Sequence, residues 1–179
     1  MILSKTKIIQ EIENGNITFK PFKYELISDV SIDITLGNHL VVYKNKVLDS
    51  KKDNPSQKIE IPETGYKLEA GKFYLAFGNE FIGTDKYAMQ VWGKSSIGRL
   101  ALTVHNAGLG EPGFGKNEQW TLELIPTMDL IVYPNMKIAQ ITFLKVDGKI
   151  SKYNGKYLKQ LGATVSRNFK DFDYKIKSN

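Results

Sequence analysis

The turn at residues 94–99 (KSSIGR) carries side chains that could bind an anion. Ser95, Ser96 and Arg99 supply two hydroxyl groups and a permanent cation, and Gly98 lets the backbone approach a ligand closely. Hydroxyl, guanidinium and backbone N–H groups all donate hydrogen bonds, and the charge-assisted and bidentate ones favour phosphate oxygens. The turn therefore predicts a phosphate-binding site, and the competing interpretation is a solvated polar loop.

A lone acid, Glu123, lies inside the apolar segment 120–125 (WTLELI). If this segment is a strand, Leu122 and Leu124 point to one face and Glu123 points to the other. A carboxylate on a mostly apolar strand is partly desolvated, and desolvation makes it a stronger base. Glu123 is therefore a candidate general base, and the competing interpretation is the wet face of an ordinary antiparallel strand.

The surrounding sequence predicts a mainly β domain with one short helix. Ser4 is a good N-cap for a helix in which Ile8 and Ile12 have helical spacing, and Gly15 lies in the turn that stops it. No shift in composition and no internal repeat marks a boundary, so residues 1–179 are predicted to form a single domain. Segments with strand-like composition, separated by Gly, Pro and Asn turns, occur at residues 17–19, 31–36, 40–43, 73–77, 87–92, 130–133 and 138–143.

The composition favours a globular protein that binds a small anion. The net charge is +6, but the lysines are scattered, only Lys51 and Lys52 are adjacent, and no helix-turn-helix or zinc-finger pattern occurs. This distribution favours a nucleoside triphosphate over a nucleic-acid polymer as the partner. The amphipathic N-terminus and the lack of a long apolar run predict a soluble cytoplasmic protein with no membrane partner. The absence of cysteine excludes disulfides, a thiolate nucleophile and Cys-ligated zinc.

Motif-like strings recur along the chain at residues 31–38 (SIDITLGN), 93–99 (GKSSIGR), 104–105 (VH), 107–114 (AGLGEPGF), 121–123 (TLE), 134–141 (PNMKIAQI) and 156–167 (KYLKQLGATVSR). Together they resemble the motifs of the dCTP deaminase branch of the dUTPase-like superfamily. The resemblance implies a distorted jelly-roll β-barrel that assembles as a homotrimer with active sites at the subunit interfaces. It also implies hydrolytic deamination of dCTP to dUTP and ammonia.

Deamination of cytosine needs an activated water at C4 and a proton for N3 and for the leaving amine. Cytidine deaminases activate this water on a Cys-ligated zinc, which a chain with only His39 and His105 cannot build. We therefore assign Glu123 as a metal-free proton shuttle that takes a proton from water and passes it to the ring. By the resemblance, Arg99 lies close to Glu123 and orients the carboxylate or the water, and Ser95 positions water or phosphate.

The resemblance also implies a nucleotide-binding site that draws on distant parts of the chain. The C-terminal segment, about residues 150–179, is expected to close over the nucleotide. Mg²⁺ is expected only as the counterion of the triphosphate, since the sequence shows no dedicated cluster of carboxylate ligands, and no zinc is expected. The residues expected to contact the nucleotide are Lys94, Ser95, Ser96, Arg99, Ala107, Gly108, Glu111, Tyr153, Lys156 and Gln160.

Departures from the family pattern keep rival functions open. Lys94 replaces the usual Arg, and Gly110 and Glu111 replace the usual Ile and Asp. The connection at residues 115–119 is about two residues longer than expected. A dUTP diphosphatase would use the acid at position 111 to activate water against the α-phosphate. A bifunctional enzyme would carry out both reactions and form dUMP. The rival of another class is a non-catalytic nucleotide-binding regulatory protein, although binding alone would not require an acid on the strand.

Overall fold

The computed structural model describes residues 1–172, so residues 173–179 of the predicted C-terminal segment lie outside the described part. Most of the regular structure is antiparallel β-sheet, which confirms the predicted fold class. The strands are β1 (Ile17–Lys20), β2 (Ile32–Thr35), β3 (His39–Tyr43), β4 (Ser56–Glu60), β5 (Tyr66–Leu68), β6 (Tyr74–Phe77), β7 (Phe81–Thr84), β8 (Tyr87–Gly93), β9 (Leu102–His105), β10 (Thr121–Pro126), β11 (Leu130–Val132) and β12 (Lys137–Lys145).

The predicted N-terminal helix is confirmed as α1 (Lys5–Glu13). Ser4 is its N-cap and accepts a hydrogen bond from the N–H group of Lys7 at 3.4 Å. Ile8 is fully buried, and Gly15 follows the helix with a φ of +70°, a conformation that glycine adopts without strain. No helix within the described residues is long and apolar enough to cross a membrane. The shorter helical turns are α2 (Ser95–Gly98) and the 3-10 turns Tyr24–Leu26 and Asn168–Asp171.

The strands form two larger sheets and two strand pairs. A five-stranded sheet has the order β4-β3-β6-β10-β9, and a three-stranded sheet has the order β2-β12-β8. β1 pairs with β7, and β5 pairs with β11. The predicted strand-like segments do not include β4, β5, β7 and β9, because β4 is polar and the other three have only three or four residues each. β10 lies between β6 and β9, so the backbone of Glu123 is paired with a neighbouring strand on each side.

Both faces of β2 are buried, so its polar residues need partners inside the protein. Asp33 accepts a hydrogen bond from the ammonium group of Lys94 at 2.6 Å and forms an ion pair with that of Lys137 at 3.1 Å. The N–H and hydroxyl groups of Thr35 donate to the buried carboxylate of Glu80, at 2.8 and 2.6 Å. These contacts fasten β2 to α2, to β12 and to the turn before β7.

Candidate active site

A cleft of about 620 Å³ opens between the five-stranded sheet and the C-terminal segment. Two carboxylates line this cleft, Glu123 on β10 and Glu111 in the turn that follows β9. Lys156 and Gln160 line it from the C-terminal segment, and aromatic and aliphatic side chains supply most of the remaining wall, with a few hydroxyl and amide groups among them. A mainly apolar cleft with a few convergent acids and one cation suits a small polar ligand.

The register of β10 places Glu123 on the cleft wall. Leu122 and Leu124 are fully buried on one face of the strand, whereas Glu123 is half-buried on the other, as the alternation predicts. The backbone of Glu123 pairs with Leu75 in β6 and with His105 in β9. His105 is itself exposed and does not line the cleft, so it is not a member of this site.

The turn at residues 106–111 is pinned at both ends. Asn106 donates a side-chain hydrogen bond to the carbonyl of Thr121 at 2.8 Å. Met89 and Gly110 exchange two backbone hydrogen bonds, at 2.7 and 2.8 Å. A Cβ atom at Gly110 would lie 2.3 Å from the indole ring of Trp120, which explains why this chain has glycine where its resemblance predicts isoleucine.

The structure brings two of the three predicted residues of this turn to the cleft. Ala107 and Glu111 line it, and Gly108 does not. Gly108 has a φ of +86°, and a Cβ atom there would meet nothing within 4 Å. The glycine is therefore needed for the shape of the turn, and nothing in its surroundings assigns it a contact with a ligand.

All three predicted residues of the C-terminal segment line the cleft. The N–H group of Tyr153 donates to the carbonyl of Pro112 at 2.7 Å, which fastens the start of the segment to the turn beside the cleft. Gln160 is buried, although most glutamines are exposed. Lys156 pairs with the carboxylate of Asp171, so its ammonium group already binds an oxygen anion within the chain.

The turn at residues 94–99 lies outside the cleft of its own chain. Lys94, the first residue of the turn, pairs with Asp33 in the core, because that buried carboxylate needs a cation. Ser95 and Ser96 are exposed on α2, Arg99 is exposed at its C-cap, and α2 packs beside β9. Arg99 and Glu123 therefore do not line the same cleft of one chain, although the resemblance implies that they lie close together in a site between subunits. The predicted residues found outside the cleft are Lys94, Ser95, Ser96, Arg99 and Gly108.

A family model described as dCTP deaminase-like matches residues 2–146. The chain belongs to the dCTP deaminase-like family. A protein of Clostridium botulinum (strain Eklund 17B / Type B) named "dCTP deaminase, dUMP-forming" is 43% identical over 175 residues, covering 97% of this chain and 99% of the relative. A protein of Leptospira biflexa serovar Patoc (strain Patoc 1 / Ames) with the same name is 39% identical over 177 residues, covering 98% and 100%.

A solved structure supports the fold of this dCTP deaminase-like chain. The 2'-deoxycytidine 5'-triphosphate deaminase from Agrobacterium tumefaciens matches with a TM-score of 0.61 at 17% identity. The match covers 79% of this chain and 47% of that one, so this chain spans about half the length of the neighbour. The match to the family model confirms the predicted family, and the names of the relatives confirm the prediction that the chain is an enzyme.

The dCTP deaminase-like cleft also contains residues that sequence analysis did not find. Tyr43 and Leu48 approach it from β3 and the loop that follows, and Phe73 approaches it from the residue before β6. These side chains come together only through folding, so no local pattern could have identified them. Tyr157 and Ser166 also line the cleft, and their position inside the C-terminal motif was a usable signal.

Proposed function

We propose that this chain converts dCTP to dUMP by two hydrolyses in one cleft. One water replaces the amino group at C4 of cytosine and releases ammonia, and a second attacks the α-phosphorus and releases pyrophosphate. The observation that carries this proposal is that two carboxylates, Glu123 and Glu111, line the same cleft as Lys156. The relatives that span nearly the whole chain are named dUMP-forming, which favours the bifunctional function over the expected deaminase that stops at dUTP.

Glu123 is assigned to the deamination because it is a carboxylate on a rigid strand. It takes a proton from water while the water oxygen bonds to C4, and it passes that proton to N3. The proton that remains on the attacking oxygen then moves to the leaving amine, and the C4–N4 bond breaks to give uracil and ammonia. Leu122 and Leu124 anchor the opposite face of the strand in the core, so the carboxylate is held in place for these transfers.

Glu111 is assigned to the second hydrolysis. It takes a proton from a water whose oxygen bonds to the α-phosphorus, while the bond from that phosphorus to the bridging oxygen breaks and pyrophosphate leaves. We assign Lys156 to offset charge on the phosphates, which would replace the carboxylate of Asp171 as its partner. We propose that Mg²⁺ accompanies the triphosphate as its counterion, because Mg²⁺ prefers phosphate and water oxygens. In residues 1–172 no group of three or more His, Asp or Glu side chains could hold the ion alone.

We further propose that the complete site forms between subunits of a homotrimer. The turn at residues 94–99 carries Ser95 and Arg99 outward, away from the cleft of its own chain. Trp92 and Leu100 flank this turn and are 53% and 52% exposed, and exposed apolar residues beside a polar group are typical of a surface that another chain covers. In a ring of three copies, this turn would supply Ser95 and Arg99 to the cleft of the neighbouring subunit.

The test is an incubation of the purified protein with dCTP and Mg²⁺, followed by separation of the nucleotides and assay of ammonia and pyrophosphate. The wild type is expected to form ammonia, pyrophosphate and dUMP in equal amounts. Glu111→Gln is expected to accumulate dUTP, and Glu123→Gln is expected to leave dCTP intact while it still cleaves added dUTP. Each loss should be about 10²–10⁴-fold, the usual contribution of a positioned base. Glu63→Gln, at an exposed acid that does not line the cleft, is the control.

The other products separate the rival functions. Conversion of dCTP that stops at dUTP in the wild type would remove the second hydrolysis and leave a plain deaminase. Cleavage of dUTP with dCTP untouched would identify a dUTP diphosphatase, and the role of Glu123 would then be wrong. Tight binding of both nucleotides without turnover would identify a regulatory binding protein.

A further inference from the structure

A buried acid joins the connection between β9 and β10 to the C-terminal segment. Glu118 is 4% exposed, and its Oε2 atom accepts hydrogen bonds from the N–H groups of Gly115 and Asn117, at 3.1 and 3.3 Å. Its Oε1 atom accepts from the N–H group of Lys159 at 3.0 Å. One carboxylate therefore closes its own loop and also holds the backbone of a segment about 40 residues later.

The next residue, Gln119, holds the same segment through both its side chain and its backbone. Its Oε1 atom accepts from the N–H group of Gly162 at 2.9 Å, and its Nε2 atom donates to the carbonyl of Asn79 at 3.1 Å. Its carbonyl accepts from the side-chain amide of Gln160 at 2.9 Å, and its N–H group donates to the carbonyl of Gln160 at 3.3 Å. Gln119 thus links the C-terminal segment to Asn79, in the turn between β6 and β7.

The C-terminal segment packs closely against the start of β3 at Gly162. This residue has a φ of +66°, and a Cβ atom there would lie 3.0 Å from the ring of His39. A side chain at position 162 would therefore push the C-terminal segment away from His39 and would also strain the backbone of the segment.

A second connection fastens the start of the segment to the same loop. Asp85 binds the ammonium groups of Lys152 and Lys116, at 2.8 and 3.0 Å, and these two hydrogen bonds lower the pKa of Asp85. Lys116 belongs to the connection and Lys152 precedes the cleft-lining residues of the segment. The loop and the segment are therefore linked through one carboxylate at the β7–β8 turn.

We propose that residues 115–119 form the seat of a C-terminal lid, residues 153–167, and that Glu118 and Gln119 are positioning residues for the reaction. The inference rests on the proposed function and deepens it. The seat sets the register in which the lid crosses the cleft, because residues bonded to the seat lie next to residues that line the cleft. Lys159 and Gly162 are bonded to the seat, Lys156 lines the cleft, and Gln160 does both.

The seat is tested first without nucleotide, by amide hydrogen exchange of the full-length protein. Glu118→Ala is expected to accelerate exchange of the Lys159 amide, and Gln119→Ala that of the Gly162 amide, by roughly tenfold, as expected for the loss of one well-formed hydrogen bond. Gly162→Ala perturbs the lid from its own side. Gly15→Ala is the matched control, because Gly15 has a similar φ of +70° but a Cβ atom there meets nothing within 4 Å.

The second measurement is the Kd of α,β-imido-dUTP, a dUTP analogue that cannot be cleaved between the α- and β-phosphates, together with kcat and KM for dCTP. We expect Glu118→Ala, Gln119→Ala and Gly162→Ala to raise Kd and KM about tenfold, with a smaller change in kcat, while Gly15→Ala changes neither. Glu118→Gln keeps one acceptor oxygen and should give an intermediate Kd. Removal of a negative charge near a polyanion would by itself tighten binding, so weaker binding in this variant has to come from the lid.

Unchanged exchange at Lys159 and Gly162 in these variants would overturn the seat. Faster exchange with unchanged Kd and KM would overturn the positioning role, because the lid would then be held without acting on the nucleotide. Failure of the proposed function looks different: the wild type would leave dCTP and dUTP intact, while the exchange rates would still decide whether residues 115–119 hold the lid.

Discussion

At the scale of single residues, the acids of this protein differ in what faces them. The side chain of Asp33 is 3% exposed and lies between the ammonium groups of Lys94 and Lys137. Glu80 is fully buried and accepts two hydrogen bonds from Thr35. Glu123, by contrast, is half-buried on the wall of a cleft. The surroundings of each carboxylate therefore distinguish a structural acid such as Asp33 from Glu123, which is open to a ligand, although both lie in strands with alternating sequence.

Asp33 gives the first stability prediction. Asp33→Asn keeps the size of the side chain but leaves Lys94 partly buried without a counter-charge, so the free energy of unfolding should fall by about 3 kcal/mol. Urea denaturation at neutral pH measures this change. Asp53→Asn, at an exposed aspartate, should change it by less than about 0.5 kcal/mol. Equal stabilities for the two variants would mean that the core does not depend on the carboxylate of Asp33.

Glu11 gives a prediction about pH. Burial raises its pKa, but hydrogen bonds from Lys7, Lys86 and Asn16 lower it more, and the net result is a pKa of about 2 instead of 4.5. The folded state therefore prefers the ionised form, and its stabilising effect is complete above pH 4.5 and is lost as the pH falls towards 2. The difference in unfolding free energy between the wild type and Glu11→Gln should shrink over this range. A difference that stays constant from pH 6 to pH 2.5 would contradict this role.

At the scale of elements, the sequence predicts those parts of the fold that carry a local period. α1 and β10 are examples: Ser4 and Gly15 mark the two ends of the helix, and the alternation around Glu123 gives its face correctly. β4 and β5 carry no such period and are held by their neighbours in the sheets. The alternation in β2 does not show which cations and acids meet its buried polar positions, because the partners Lys94 and Glu80 come from distant segments.

The candidate site shows the same limit. Motifs identify Glu111, Glu123 and Gln160 because each stands in a recognisable string, and the fold does bring these three to one cleft. The motifs cannot show that Lys94 is bonded to a buried acid, since that bond depends on strand order in another sheet. Nor can they show which motif belongs to which subunit's cleft, because the spacing within a chain carries no information about a neighbouring copy.

At the scale of the whole molecule, the separation of Arg99 from Glu123 favours sites shared between subunits. Within one chain the two residues do not line a common cleft. In the proposed homotrimer, each cleft would combine the Glu123 of one copy with the turn of the next. Two inactive variants with lesions on opposite sides of the interface should then complement each other in mixed trimers.

We predict that co-expression of Arg99→Ala with Glu123→Gln restores deamination of dCTP, although each variant alone is inactive. With random assembly, a site is intact when one neighbour supplies Glu123 and the other supplies Arg99, so about a quarter of the wild-type activity should return. The matched control is co-expression of Arg99→Ala with Ser95→Ala. Both lesions then lie in the same turn, no subunit supplies both side chains, and the mixture should stay inactive. Recovery in neither mixture, with mixed trimers verified by two affinity tags, would mean that each chain completes its own site.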